Sequence, residues 1–484
     1  MTPLASARIG ADEPWAHALT SGAAGVTGQA CGFLLRVCAT LVLARLLAPA
    51  DYGVVAIATA AAAFLALFKD LGLGQAAVQG ATLTREQMST LFWINTANGL
   101  VLALANAAAA PLLGLLFGDA RVTQAALGLS LTHACAGLAA QPQAALRRAL
   151  RLKTLAASEI GAVLVGVVAA IAAARAGAGF WALVLMQCAI AVASTAAALL
   201  LSPLRIDPPA RSAGLRPLLA FGRHVTAFGV MSYFARNADG LLLGRSYGAH
   251  ALGLYDKACQ LMLVPAQVIG VPLSSVAIPV LSRLQSDAAR FREYYRLFLA
   301  MSVALTMPLC AFLFVTADRV IPLLLGSQWI PSVPLFRALA PAAAVDAVTV
   351  SAGWIFLSLG RTARQVAFGF AGALVTVAAF VIVLPFGPLG MALCFSACRL
   401  ALSLPTLAYT CRDTPLRWRE PLALAAPPTL AAILAALLLR GMAGAIFPSG
   451  GPRALLGGAV LYAVAYLLLI GWWLARVIAS RPRG

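Results

Sequence analysis

The 484-residue chain reads as an all-α polytopic membrane protein of about 14 transmembrane helices, built as two parallel pseudo-symmetric six-helix bundles plus two C-terminal helices. Three observations carry that reading. The composition is 62% hydrophobic and 11% charged with a mean hydropathy of +0.90, outside the range of water-soluble domains. Apolar runs reach about 20 residues or more, the length a helix needs to cross about 30 Å of hydrocarbon, and the short alternating segments of a membrane barrel are absent. The third observation is a repeat: the design of residues 32–79 returns 200 positions later without a gap. Arg36 falls on Arg236, Leu41 on Leu241, Leu43 on Leu243, Arg45 on Arg245 and Gly53 on Gly253.

Taken in order, residues 1–21 form a cytoplasmic leader with no cleavable signal, because the first apolar run is too long for a signal core and contains Arg36. Charge clusters and Gly/Pro breaks then place an N-terminal bundle over 22–201, with spans at 22–48, 53–78, 90–117, 122–145, 155–174 and 179–201. The polar, proline-rich, basic segment 202–218 is the linker. A second bundle over 219–410 has spans at 219–245, 251–280, 293–316, 330–357, 365–386 and 389–410. Residues 411–484 supply two further spans, 424–447 and 453–475, and a cytoplasmic tail. Six spans before the linker start both halves on one side, which makes them parallel repeats.

Orientation follows from arginine. The loops expected on one face carry Arg147, Arg148, Arg151, Arg205, Arg211, Arg283, Arg290, Arg361, Arg364, Arg412, Arg417 and Arg419, while the alternate loops hold little beyond Arg121, Arg175, Arg319 and Arg453. The basic face is the cytoplasmic one, and an even number of spans puts both termini there. The net charge of +19 is therefore a topology signal and does not call for a nucleic-acid partner. Nine scattered cysteines, mostly inside apolar runs, predict membrane packing without a disulfide framework or a metal. Nucleotide-binding, zinc-protease and nucleophile-elbow motifs are missing, and no loop is large enough for a separate active site, so the chain is not expected to be an enzyme or to need a cofactor.

The residues that carry chemistry are charges inside apolar helices, where each costs several kcal/mol unless it meets water or a partner. Arg36 and Arg236 lie mid-span, and Arg45 and Arg245 follow nine residues on. Each can line an aqueous cavity, pair with a carboxylate or snorkel to the interface. Asp239, three residues after Arg236, is placed to pair with it. Lys69 with Asp70, Asp256 with Lys257, and Asp346 are the remaining internal charges and the candidates for coupling a proton or sodium ion. Pro265, Pro272 and Pro279 recur every seven residues on one face, which predicts a kinked or broken span and a hinge.

The stretch LARLLAPADYGVVAIATAAAAFLALFKDLGLGQAAVQ, with the later LLLGRSYGAHALGLYDKACQLMLVPAQVIGVPLSSVAIPVLSRLQ and LLLGSQWIPSVPLFRALAP, resembles Wzx-type polysaccharide transporters of the MOP exporter superfamily. The resemblance implies a flippase in the bacterial inner membrane that moves undecaprenyl-diphosphate-linked oligosaccharide by ion-coupled alternating access, for lipopolysaccharide, capsule or exopolysaccharide synthesis. It implies a basic lumen in the region of Arg36, Arg45, Arg236 and Arg245, a lipid-linked oligosaccharide as substrate, and work beside a polymerase and export machinery. An ion-coupled multidrug exporter of the same superfamily and a flippase for the peptidoglycan lipid precursor are the alternatives. Guanidinium suits phosphate through its forked donors and weak hydration, whereas cationic drugs favour acidic or aromatic walls.

Overall fold

The computed structural model describes residues 32, 35–69, 85–149, 151–204, 206–208, 216–442 and 451–479. All regular structure among them is helical, and they fall into two compact units, Met1–Gly253 and Leu254–Gly484. The helices are α1 (35–46), α2 (Pro49–Ala66), α3 (Arg85–Phe117), α4 (Ala120–Arg148), α5 (Leu152–Arg175), α6 (Trp181–Leu201) and α7 (Arg216–Pro265). They continue with α8 (Val271–Arg283), α9 (Ala288–Leu325), α10 (Ser332–Ser358), α11 (Thr362–Val383), α12 (Gly387–Thr410), α13 (Glu420–Gly441) and α14 (Pro452–Ala479).

Ten stretches of the described residues are long and apolar enough to cross a bilayer. Two of them, Arg236–Arg283 and Thr362–Thr410, run through breaks: Gly248 at φ 78 and the π turn Ala266–Gly270 in the first, the 3-10 turn Leu384–Phe386 in the second. The expected first span extends into residues outside the described ones. The expected span 122–145 forms as α4 but is not among the ten, because it is too polar.

The reason is its surroundings. Helix α4 packs against α2, α3, α5 and α6, so most of it meets protein and little meets lipid. Its seam with α3 is antiparallel and tight: a Cβ on Gly99 would lie 2.8 Å from Gly137 Cα, and Asn106 Nδ2 donates to Ser130 Oγ at 3.1 Å. The same register sets Asn95 opposite Gln141, both almost fully buried. Asp119 caps α4 by accepting from the Arg121 backbone N–H at 2.9 Å, and the Arg121 guanidinium holds its carboxyl below the usual range.

Unit 2 is built on α9. Phe291, Tyr295 and Phe298 fill the space toward α10, where the Tyr295 and Ser351 hydroxyls lie 2.9 Å apart. The last two helices join this core. Pro308 has no N–H for the carbonyl of Ala304 one turn back, and the Tyr466 hydroxyl donates to that carbonyl at 2.8 Å, while Tyr462 donates to Pro308 O at 2.9 Å. A proline in α9 thus creates the acceptor on which α14 docks.

Candidate functional site

The two arginine-bearing arms of the repeat both lie in unit 1, and their equivalent residues have equivalent surroundings. Leu43 and Leu243 are buried at 1% and 0%, while Arg36, Arg45, Arg236 and Arg245 are exposed. Each arm breaks at the same place, at Ala48 (φ -72, ψ 153) and Gly248 (φ 78, ψ 177), and a new helical turn starts beyond it. The new turns then pack reciprocally: a Cβ on Gly53 would fall on the carbonyl oxygen of Ala249, and one on Gly253 would fall on that of Pro49. Pro49 and Ala249 are themselves 200 positions apart, so the contact is the self-complementary kind that a two-fold axis makes.

Around this contact the helix α7 runs beside α2. Tyr233 donates to the Ala60 carbonyl at 2.6 Å, and Phe64 packs its ring 5.4 Å from Tyr233 and 5.6 Å from Phe234. Arg236 follows directly on this aromatic anchor.

Among the described residues neither Arg36 nor Arg236 makes a hydrogen bond or an ion pair. Among the described residues no ion pair joins Arg236 to Asp239, the pairing anticipated from their spacing, and Arg236 is exposed. Arg45 and Arg245 stand nine residues along, which is two and a half turns, so they leave the helix on the side opposite Arg36 and Arg236. The four arginines therefore form two pairs by face. Two helical cations with no counter-charge among the described residues can provide anion binding, provided water or an anion reaches them.

The other charges are dispersed. Lys69 ends the turn after α2, where Asn98 Nδ2 donates to the Phe68 and Lys69 carbonyls at 2.9 and 2.8 Å, and Asp70 lies outside the described residues. Lys257 is 4% exposed and donates to Gln260 Oε1 at 2.8 Å, while Gln260 Nε2 donates to Asp256 at 2.6 Å, closing a chain of three polar groups on α7. Pro265 immediately precedes the π turn, Pro272 sits in the first turn of α8, and Pro279 lies inside it.

Asp346 has a partner that sequence reasoning missed. Arg399 of α12 brings its guanidinium to 3.7 Å from the Asp346 carboxylate and to 5.3 Å from the Phe395 ring centroid, and Thr349 lies at 3.5 Å. Arg399 is mid-way along an otherwise apolar helix, the same signal that marked Arg36, and its position alone was enough to find it. The buried pair Asn95 and Gln141, whose side-chain polar atoms have no hydrogen-bond partner among the described residues, was also missed, because amides in an alanine-rich helix carry no sequence signature.

The profile of a family described as "Polysaccharide biosynthesis protein" matches residues 42–334. The chain is 23% identical over 326 residues to the lipopolysaccharide biosynthesis protein WzxC of Escherichia coli, an alignment covering 66% of this chain and 65% of that protein. With the succinoglycan biosynthesis transport protein ExoT of Rhizobium meliloti it shares 24% identity over 475 residues, covering 93% and 94% of the two chains. Among solved structures, the lipid II flippase MurJ in its inward closed conformation superposes with a TM-score of 0.75 at 13% identity, over 95% of this chain and all of that one. That likeness shows the fold.

Proposed function

The chain belongs to the polysaccharide biosynthesis protein family and is a multi-pass membrane protein, and from that premise we propose that it flips undecaprenyl-diphosphate-linked oligosaccharide across the bacterial inner membrane for cell-surface polysaccharide synthesis. The observation that carries the reading is the pair Arg36 and Arg236: equivalent positions of a repeat, both on helices, exposed, and without a protein counter-charge among the described residues. An anionic diphosphate supplies the missing charge, and a guanidinium can bind it with two parallel hydrogen bonds. The likeness to WzxC, a lipopolysaccharide biosynthesis protein, and to ExoT, a succinoglycan biosynthesis transport protein, supports the polysaccharide pathway. A cationic drug would meet repulsion at both arginines, which disfavours the multidrug alternative.

The finer features belong to the same proposal: fourteen helices, two parallel repeats separated by the 202–218 linker, both termini cytoplasmic, and alternating access coupled to protons or sodium. Asp346 with Arg399, and the Asp256, Lys257 and Gln260 chain, are coupling candidates, and Lys69, Asp70 and Asp239 are the other lumen or coupling candidates. Pro265 and Pro272 flank a non-α turn that suits a hinge, and Pro279 lies beyond it inside α8.

The test is deletion of the gene in its host, with the leaflet holding the lipid-linked oligosaccharide measured alongside surface polysaccharide. Accumulation on the cytoplasmic side with loss of surface polymer, reversed by the wild-type gene but not by an Arg36→Ala/Arg236→Ala variant at normal level, is the expected result. Unchanged polysaccharide with new sensitivity to cationic drugs would select the multidrug reading, and loss of viability would select the peptidoglycan precursor.

A further inference from the structure

Unit 2 carries a separate concentration of arginine. The segment 411–419 joins α12 to α13 and, with Arg292 of α9, walls a cavity of about 580 Å³. Arg292, Arg412, Arg417 and Arg419 line it together with Trp418, against the single carboxylate of Glu420. That carboxylate is already committed: it accepts from Arg292 Nε at 3.0 Å and from the Arg417 backbone N–H at 3.3 Å. Arg419 lies over the Trp418 ring, 5.1 Å from its centroid. The guanidiniums of Arg412 and Arg417 have no hydrogen bond or ion pair among the described residues.

The loop is held in this form from outside the cavity. Arg361 donates to the carbonyls of Arg412 and Asp413 at 2.9 and 2.8 Å, and Arg364 meets the Asp413 carboxylate at 3.1 Å. Asp413 sits at φ 59, a left-handed conformation that no other non-glycine among the described residues adopts. Two arginines thus fix a strained loop whose effect is to hold two further cations, without a counter-charge among the described residues, at one opening. A loop needed only to mark the cytoplasmic side would carry its charges without such fixing.

The surroundings specify what kind of anion fits. Ala408, Leu416 and Ala423 add apolar lining to the cavity, and Trp418 is 40% exposed, an amphipathic ring suited to the membrane interface. From Ala423 an exposed stripe runs along α13 through Leu430, Leu434 and Leu437, which are 60%, 51% and 59% exposed. These residues follow at i+7, i+11 and i+14 and so stay on one face for about 21 Å, close to the reach of an acyl chain. A free phosphate uses the arginines alone; a phospholipid uses the arginines, the indole and the stripe.

We propose that Arg412 and Arg417, with Trp418 and the exposed stripe of α13, form a site for an anionic phospholipid, its phosphodiester at the arginines and an acyl chain along Leu430, Leu434 and Leu437. The site is independent of substrate transport and is read without it. Full-length protein in neutral detergent is titrated with phosphatidylglycerol, cardiolipin or phosphatidylethanolamine, and bound lipid is counted by native mass spectrometry. The wild type is expected to prefer the two anionic lipids by about tenfold or more, and Arg412→Gln/Arg417→Gln to lose most of that preference. The control Arg147→Gln/Arg148→Gln, another basic pair expected on the same face, retains it. Should the glutamine variant fold poorly, Arg412→Lys/Arg417→Lys, which keeps charge but removes the fork, is expected to bind at an intermediate level. An unchanged preference in the Arg412/Arg417 variants, or an equal loss in the control, overturns the proposal. Full displacement of lipid by millimolar inorganic pyrophosphate would assign the cavity to soluble phosphates and overturn it as well.

Discussion

The arms 36–53 and 236–253 carry the same arginines, bury the same leucine and make the same glycine contact, yet they break their helices by different chemistry. The first arm breaks at Ala48 in extended backbone and restarts with Pro49, whose missing N–H costs nothing at a first helical position. Asp51 then accepts from the Ala48 N–H at 3.1 Å, which is half of a capping box; the methyl of alanine has no acceptor to supply the other half. The second arm has neither proline nor acid at those positions and instead turns at Gly248, in a region of φ and ψ that is almost closed to other residues. One tertiary requirement, a break one turn before the crossing glycine, was met by two local solutions. The geometry of the crossing is therefore the shared feature, and the residues that make the break are interchangeable devices.

Substitution can test how far this equivalence extends. Gly53→Val and Gly253→Val each drive a side chain into a backbone carbonyl and are expected to cost about 3 kcal/mol or more, seen as loss of monodisperse protein on size exclusion; a tolerated change at one site alone would break the symmetry of the contact. Arg36→Ala and Arg236→Ala are each expected to reduce oligosaccharide translocation by about 10- to 100-fold, from about 1.5 to 3 kcal/mol of charge-assisted hydrogen bonding, at unchanged protein level. Full transport in both would remove the diphosphate assignment, while a loss in only one would show that the halves contact the substrate unequally. Gly248→Ala is expected to destabilise by about 2 kcal/mol through backbone strain, measured by thermal unfolding in detergent, whereas Ala48→Gly shifts stability by less than about 1 kcal/mol. The smallest effect belongs to Asp51→Ala, about 0.5 to 1 kcal/mol from the lost cap, with no counterpart at Ala251.

Much of this was legible in the chain. Arg36 and Arg236 stood out because arginine is expensive in apolar helices, and the constant offset of 200 residues tied them together. The turn at Pro49 to Gly53 is written in its residues. Arg399 carried the same signal, since it too is mid-helix, but its approach to Asp346 joins two helices 53 positions apart and no local pattern encodes that. Helical phase did limit the reading of Arg45 and Arg245: nine residues is a half-integral number of turns, so sharing a helix with Arg36 and Arg236 does not mean sharing a face.

The sequence by itself determined the solvent of this protein, its helical character, its repeat and the cost of its buried charges, because hydropathy, periodicity and the price of desolvation are properties of single segments. Only the tertiary structure decided that Gly53 and Gly253 are contacts of backbone with backbone, that α4 is sheltered enough to be polar, that Tyr466 answers the carbonyl freed by Pro308, and that Arg361 and Arg364 hold a loop whose Arg412 and Arg417 guanidiniums have no partner among the described residues. Each of those depends on which atoms from distant segments come within a few ångströms, and that is a property of packing.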